Sequence, residues 1–335
     1  MRGKRETLAQ IVDRLGLNRV GGRGQRTPRV VVLNYHRIAD PETCPFDRHI
    51  VSATPEEFGR QLDYLKRHFR VLSLDETIEL LSGASPDGGR CVHITFDDGY
   101  ADNARVAAPM LAERGLPATF FLATGFIDSR RPAWWDEIAW LARTTEVPVI
   151  ELPEFGFDMD LRESRGWAMR SAIELFKTLP RSDARRLVGL IAERSGLGRC
   201  PAAIAEPLWM TWDEARTLVP QGMAVGGHTV SHPVLSRLPL KDQREEIAGC
   251  RRRIVEELNM EPTAFSYPVG QPDSFTTATR RAVAEAGYTV AFSFYGGQGT
   301  VRHMDPFNVP RMSVERHDRG PVFRTRVAWP QLFGD

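Results

Sequence analysis

Charge of neither sign dominates this chain: 44 Lys and Arg stand against 43 Asp and Glu, a formal net charge of +1 over 335 residues. Bulk charge therefore implies no polyanion partner, and nucleic-acid binding is not expected. Cysteine is scarce. Cys44, Cys91, Cys200 and Cys250 lie far apart and form no Cys-x-x-Cys pair, which argues against a disulfide framework and a cysteine zinc site, so free thiols are expected. No apolar run approaches the roughly 20 residues of a membrane-spanning helix, and no repeat or low-complexity tract is present. The basic N-terminus lacks the continuous apolar core of a secretion signal. The expectation that follows is a cytoplasmic protein.

What is present is ordinary for a folded domain, with 42% apolar and 26% charged residues. The length suits one large α/β barrel or two ordinary domains. Leu8, Ile11, Val12, Leu15 and Leu17 recur near helical spacing among Arg2, Lys4, Arg5, Arg14 and Arg19. A short helix packed on the domain gives such a stripe, and so does an amphipathic helix at the inner face of a membrane. Residues 21–28, rich in Gly and ending in Pro28, read as a linker. Residues 1–28 are thus expected to be an N-terminal helix and linker, and residues 29–335 the main domain.

Short apolar runs at 30–34, 91–96, 118–123, 223–226, 263–267 and 289–294 read as buried parallel strands. Amphipathic stretches at 55–68, 75–81, 107–114 and 242–258 lie between them. This alternation implies βαβ units and an α/β fold. Residues 130–207 differ, with Trp134, Trp135 and Trp140 followed by helical pattern at 167–179 and 182–195. They read as a helical insertion that either walls the substrate groove or only packs on the domain.

Several runs end in residues that do chemistry. Residues 30–34 lead to Tyr35-His36, 91–96 to Asp97-Asp98-Gly99, 223–226 to His228 and His232, and 263–267 to Pro268-Val269-Gly270. In a parallel barrel the C-terminal strand ends converge on the face that carries the active site. Adjacent strand residues point to opposite faces, but the Gly99 turn lets both carboxylates reach one pocket. Asp-Asp-Gly alone is equally well a polar turn. His228-x-x-x-His232 suits two metal ligands, and Gly226-Gly227 with Pro233 argues for a loop rather than a long helix. With eight histidines in the chain, one pairing at this spacing arises easily by chance. One Asp with two His leaves an open coordination position, as a catalytic zinc requires.

Together these residues resemble the polysaccharide deacetylase family, the NodB-homology carbohydrate esterases of family 4. Thr95-Phe96-Asp97-Asp98-Gly99 is similar to the family's first motif, residues 227–233 (Gly-His-Thr-Val-Ser-His-Pro) to its second, and residues 265–270 (Phe-Ser-Tyr-Pro-Val-Gly) to its third. Leu33-Asn34-Tyr35-His36-Arg37 resembles the opening strand of an exopolysaccharide-associated branch. The likeness runs from about residue 30 to residue 314. It implies a distorted parallel (β/α) barrel of about seven strands and metal-dependent removal of N-acetyl groups from amino sugars. Asp98, His228 and His232 would hold the metal, usually zinc, with Co2+, Ni2+ or Fe2+ as substitutes. Asp97 would be the general base, and the Val269 backbone N–H would help hold the oxyanion. Tyr267, Pro268 and Trp135 are the candidate substrate contacts, with Trp134 and Trp209 as further stacking surfaces or as core.

The sequence departs from the family pattern in two places. Ser266 stands where the third motif often carries an arginine that orients the base, and Arg311 is the candidate replacement. No late Leu-x-His motif supplies the general acid, so the role falls on His36, with His317 and His303 as rivals. The expected partner is an amino-sugar glycan, oligosaccharide or lipid-linked saccharide. The alternatives are a catalytically inactive carbohydrate-binding relative, a deformylase or linear amidase of the same fold, a two-carboxylate glycosidase and a two-His, one-carboxylate iron oxygenase. The last two fit poorly, because Asp97 and Asp98 are adjacent and the pattern is βαβ.

Overall fold

The apolar runs become the staves of a closed barrel in the computed structural model, which describes residues 2–19, 29–83, 90–296, 299–300 and 304–330. Seven parallel strands lie side by side in chain order: β1 (Arg29–Tyr35), β2 (Arg90–Phe96), β3 (Thr119–Leu122), β4 (Ala224–Gly227), β5 (Ala264–Ser266), β6 (Val290–Gly296) and β7 (Val309–Ser313). The circle closes where Leu33 and Asn34 of β1 face Met312 and Ser313 of β7. The barrel is distorted because strands share edges. Arg70–Leu72 pairs with the first half of β2, and β3 joins only at Thr95 and Phe96. Six of the staves coincide with the apolar runs read from sequence. The seventh, β7, carries Pro310 and Arg311 within five residues and shows no apolar run.

Alternation sorts the strand residues. Val31, Leu33 and Tyr35 face outward and pack with Phe58, Leu62 and Leu65 of the helix Pro55–His68. That helix starts because the Thr54 hydroxyl accepts the Glu57 N–H and Pro55 occupies the first turn, and its ends carry charges suited to the helix dipole. Val30 and Val32 share the inner cluster with Phe121, Ala264, Phe292 and Val309. Phe121 fits inside only because Gly226 faces it; a Cβ there would lie 2.6 Å from the ring and 2.7 Å from the Ala264 carbonyl.

Between β3 and β4 the chain forms helices Trp134–Thr144, Arg165–Thr178 and Arg181–Arg194, with a hairpin of Val149–Leu152 and Phe157–Asp160. Their apolar faces build a second core around Trp135, Leu141, Met169 and Ile191. The hairpin, two strands of four residues with acids on one face, was not expected from the sequence.

The N-terminal helix Arg2–Arg14 buries Ala9 and Val12, and Arg324 of the last helix donates to Asp13 at 2.7 Å. Leu8, Ile11, Leu15 and Leu17 stay exposed. The linker expected at residues 21–28 lies outside the described residues. No described helix is long and apolar enough to cross a membrane. All four cysteines are free and buried.

Candidate metal centre

Strand ends β2, β4, β5 and β7 meet at one face of the barrel, and the backbone there is bent to aim side chains. Among the described residues six non-glycines have positive φ, and four of them, Asp98, Thr229, His232 and Val269, belong to these strand ends. Thr229 and Val269 are β-branched, so their left-handed conformation is strained and is held by the surroundings. Asp98 (φ 79°) and Gly99 (φ 85°) turn the chain directly after β2. The turn brings Asp97 and Asp98 into the lining of one cavity.

Asp98 Oδ1 lies 3.4 Å from His228 Nε2 and 3.4 Å from His232 Nε2, and donor atoms of all three residues fall within 4.8 Å of one another. The His228 Nδ1 faces the Ser266 carbonyl at 2.8 Å; with the proton on Nδ1, the Nε2 lone pair points at Asp98. Asp98 Oδ1 is buried without a hydrogen-bond partner. A buried carboxylate oxygen with no donor costs free energy unless a cation meets it. The triad therefore fits a metal, and one oxygen with two imidazole nitrogens suits zinc or a neighbouring divalent transition ion. Burial, with the nearby His228, pushes His232 down to about 3, so its imidazole is neutral and able to ligate at pH 7. Burial also disfavours a charged His228, but Asp97 and Asp98 outweigh it and raise its pKa.

Arg311 supplies the guanidinium that the third motif lacks. Its Nη1 donates to Asp97 Oδ1 at 2.8 Å and its Nη2 to Oδ2 at 2.7 Å, a two-pronged fork with both side chains buried. The remaining donors reach the Ser293 carbonyl (2.9 Å), Asn34 Oδ1 (3.1 Å), Thr95 Oγ1 (3.2 Å) and Ser266 Oγ (2.8 Å). Ser266 and Asn34 also donate to Asp97 Oδ2, each at 3.2 Å. Burial alone would raise the Asp97 pKa, but Arg311 and His228 outweigh it and hold the carboxyl well below the usual range.

Outer contacts fix the ligand loop. Glu246, buried on the helix Leu240–Leu258, accepts from Val230 N (3.1 Å), Ser231 N (2.8 Å) and Ser231 Oγ (2.6 Å). Trp135 sets its ring 4.4 Å from that of His232 and donates through Nε1 to Tyr100 Oη, which donates to buried Asp136 at 2.8 Å. Glu246, Tyr100 and Asp136 were missed by sequence reading. Glu246 sits in an ordinary helical charge pattern, and nothing local marks it; Tyr100, directly after Asp-Asp-Gly, is the one with a positional signal.

A cavity of about 480 Å³ opens over the centre. His36, Tyr267, Val269, Phe294 and His317 line it, as do Trp134 and Ile173 of the segment between β3 and β4. That segment therefore walls the cavity. His36 is half-buried, its ring 5.9 Å from that of Phe294 and its carbonyl accepting from Asn103 at 2.6 Å. His317 is exposed at the rim, and His303 lies outside the described residues. One of the substrate-contact expectations needs correction. Pro268 is buried and does not line this cavity. Tyr267 lines the cavity while its ring stacks on Phe275 at 3.9 Å and its hydroxyl donates to the Phe307 carbonyl. Trp209 is fully buried against Tyr100. Trp135, 4% exposed, buttresses His232 and also lines the cavity. Half-buried Trp134 lines the cavity beside it and also stacks on Phe176 at 3.9 Å.

Comparison with known proteins agrees with this geometry. A family model described as polysaccharide deacetylase matches residues 84–159 and 166–291, more than half of the chain. The chain is similar to the putative polysaccharide deacetylase YxkH of Bacillus subtilis (strain 168), 19% identical over 300 residues, covering 89% of this chain and 76% of the relative. It resembles the solved Streptococcus pyogenes deacetylase PplD, in complex with acetate, with a TM-score of 0.60 and 18% identity over 89% of this chain and 97% of that one. IcaB from Ammonifex degensii gives a TM-score of 0.58 and 22% identity over 90% and 97%. At these identities the structural likenesses speak for the fold.

Proposed function

Since this chain belongs to the polysaccharide deacetylase family, we propose that it hydrolyses the N-acetyl group of amino-sugar residues, releasing acetate with the help of a divalent metal, zinc first. The observation that carries the reading is the buried Asp98–His228–His232 triad beside an Arg311-clamped Asp97 on one cavity wall. An inactive binding relative was suggested by the arginine missing from the third motif, and the Arg311 fork removes that motive.

Asp98, His228 and His232 would hold the metal, which when bound polarises the acetyl carbonyl and acidifies a water. Asp97, kept ionised by Arg311, takes the proton from the attacking water. Val269 sits in a tight turn closed by the Gly270 N–H to the Pro268 carbonyl at 2.7 Å. Its backbone N–H would meet the oxyanion, and one such donor is typically worth about 3 kcal/mol. His36 protonates the nitrogen as the C–N bond breaks, because an amide nitrogen leaves poorly as an anion. The products are acetate and a free amino sugar. His36→Ala should lower kcat by roughly 100- to 10,000-fold with metal content unchanged. An unchanged kcat would move the acid role to His317.

The exposed Leu8, Ile11 and Leu15 beside basic residues favour a peripheral seat at the inner face of a membrane, which suits a lipid-linked saccharide. The test is acetate release from N-acetylglucosamine oligomers by chelator-stripped and zinc-restored protein, with formate measured from N-formyl analogues alongside. Acetate that depends on restored zinc supports the reading. Formate without acetate would make the chain a deformylase of the same fold.

A further inference from the structure

Among the described residues, two guanidinium groups in the cavity wall form no ion pair. Arg170, on the helix Arg165–Thr178, and Arg316, in the loop after β7, line the same cavity as Asp97, Asp98, His228 and His232. Arg170 makes one polar side-chain contact, Nη1 to His49 Nε2 at 3.2 Å. Arg316 makes no side-chain hydrogen bond or ion pair among the described residues, and its Nε is buried without a partner. Both act on His49: burial lowers its pKa first, Asp47 pulls it up, and Arg316 and Arg170 push it down again. Arg170, Arg316 and His49 all line this cavity. Asp47 of the same wall feels the Arg170 charge, but among the described residues no acidic group forms an ion pair with either arginine. Glu174 is paired with Lys177 at 2.8 Å, Asp47 accepts the His49 N–H at 2.9 Å, and Glu315 is exposed and pairs with neither arginine.

The buried, unpartnered Nε of Arg316 is costly unless an anion meets that guanidinium. Its planar fork suits phosphate and carboxylate oxygens. We propose that Arg170 and Arg316, lining the cavity with His49, form an oxyanion subsite beside the metal centre, and that the substrate sugar or its neighbour carries a phosphate or a carboxylate. A cavity of about 480 Å³ is in the range that encloses a small ligand of this kind. The inference rests on the deacetylase reading and narrows it from any N-acetylated glycan to an acidic one.

The test compares binding of three probes to the zinc-loaded full chain by calorimetry. They are N-acetylglucosamine 1-phosphate, N-acetylglucosaminuronic acid and the uncharged methyl glycoside of N-acetylglucosamine. One anionic probe should bind at least about tenfold more tightly than the neutral one, as charge-assisted hydrogen bonds allow. The tighter of the two identifies phosphate or carboxylate. In R170Q/R316Q the preference should vanish, with metal content by mass spectrometry unchanged. Arg170 is exposed, so R170Q alone folds safely and should remove part of the preference. Equal affinity for all three probes, or a preference that survives R170Q/R316Q, would overturn the subsite. Intact anion preference without acetate from any probe would instead remove the deacetylase reading and leave the subsite standing.

Discussion

Asp97→Asn should cut acetate release by roughly 100- to 10,000-fold while the protein keeps its metal. The amide preserves the size of the side chain but cannot take the proton of the attacking water. It also turns an N–H2 toward Arg311, where Oδ1 and Oδ2 now accept at 2.8 and 2.7 Å. Asp98, His228 and His232 are untouched, so metal content by mass spectrometry should match the parent protein. High residual turnover would end the assignment of Asp97 as base.

Arg311→Ala should have the largest effect on stability, about 3–5 kcal/mol by denaturant titration, because it leaves the Asp97 charge buried and uncompensated. Solvent screening does not soften this figure, since the side chains are 0% and 4% exposed. The pH behaviour gives a second readout. The folded-state pKa of Asp97 lies well below its unfolded value, so the fork stabilises the fold above the ordinary carboxylate range and loses that contribution as pH falls through the folded pKa. Without Arg311 the carboxyl pKa rises, and the acid limb of kcat/KM should move to higher pH. Arg311→Lys keeps a charge but not the fork and should fall between the two. A loss below about 1 kcal/mol with an unmoved acid limb would mean that Asp97 is oriented by Asn34 and Ser266 instead.

The barrel was readable because six of its strands are short apolar runs between amphipathic helices, each period set by elementary geometry. β7 was not, because Pro310 and Arg311 interrupt its five residues. Yet Arg311 was picked out as the replacement guanidinium from the place that Ser266 left vacant, and the fold brings it to Asp97 from 214 residues away. The triad was visible for a related reason: a carboxylate at one strand end and paired histidines at another have few other uses. Its supports were not. Glu246 holds the histidine loop through three hydrogen bonds, but its own sequence surroundings read as solvated helix. Trp135 and Tyr267 read as substrate contacts because aromatic residues near a site suggest them. Both line the cavity, and the packing of Trp135 on His232, and of Tyr267 on Phe275, makes them part of its frame as well.

Metal content of the purified chain beside Asp98→Ala bears most directly on the central claim. About one divalent ion per chain, zinc first, is expected in the parent protein and none in the variant, because two imidazoles alone do not complete the site. Equal metal in both proteins, or none in either after zinc supplementation, would contradict a catalytic metal at Asp98, His228 and His232.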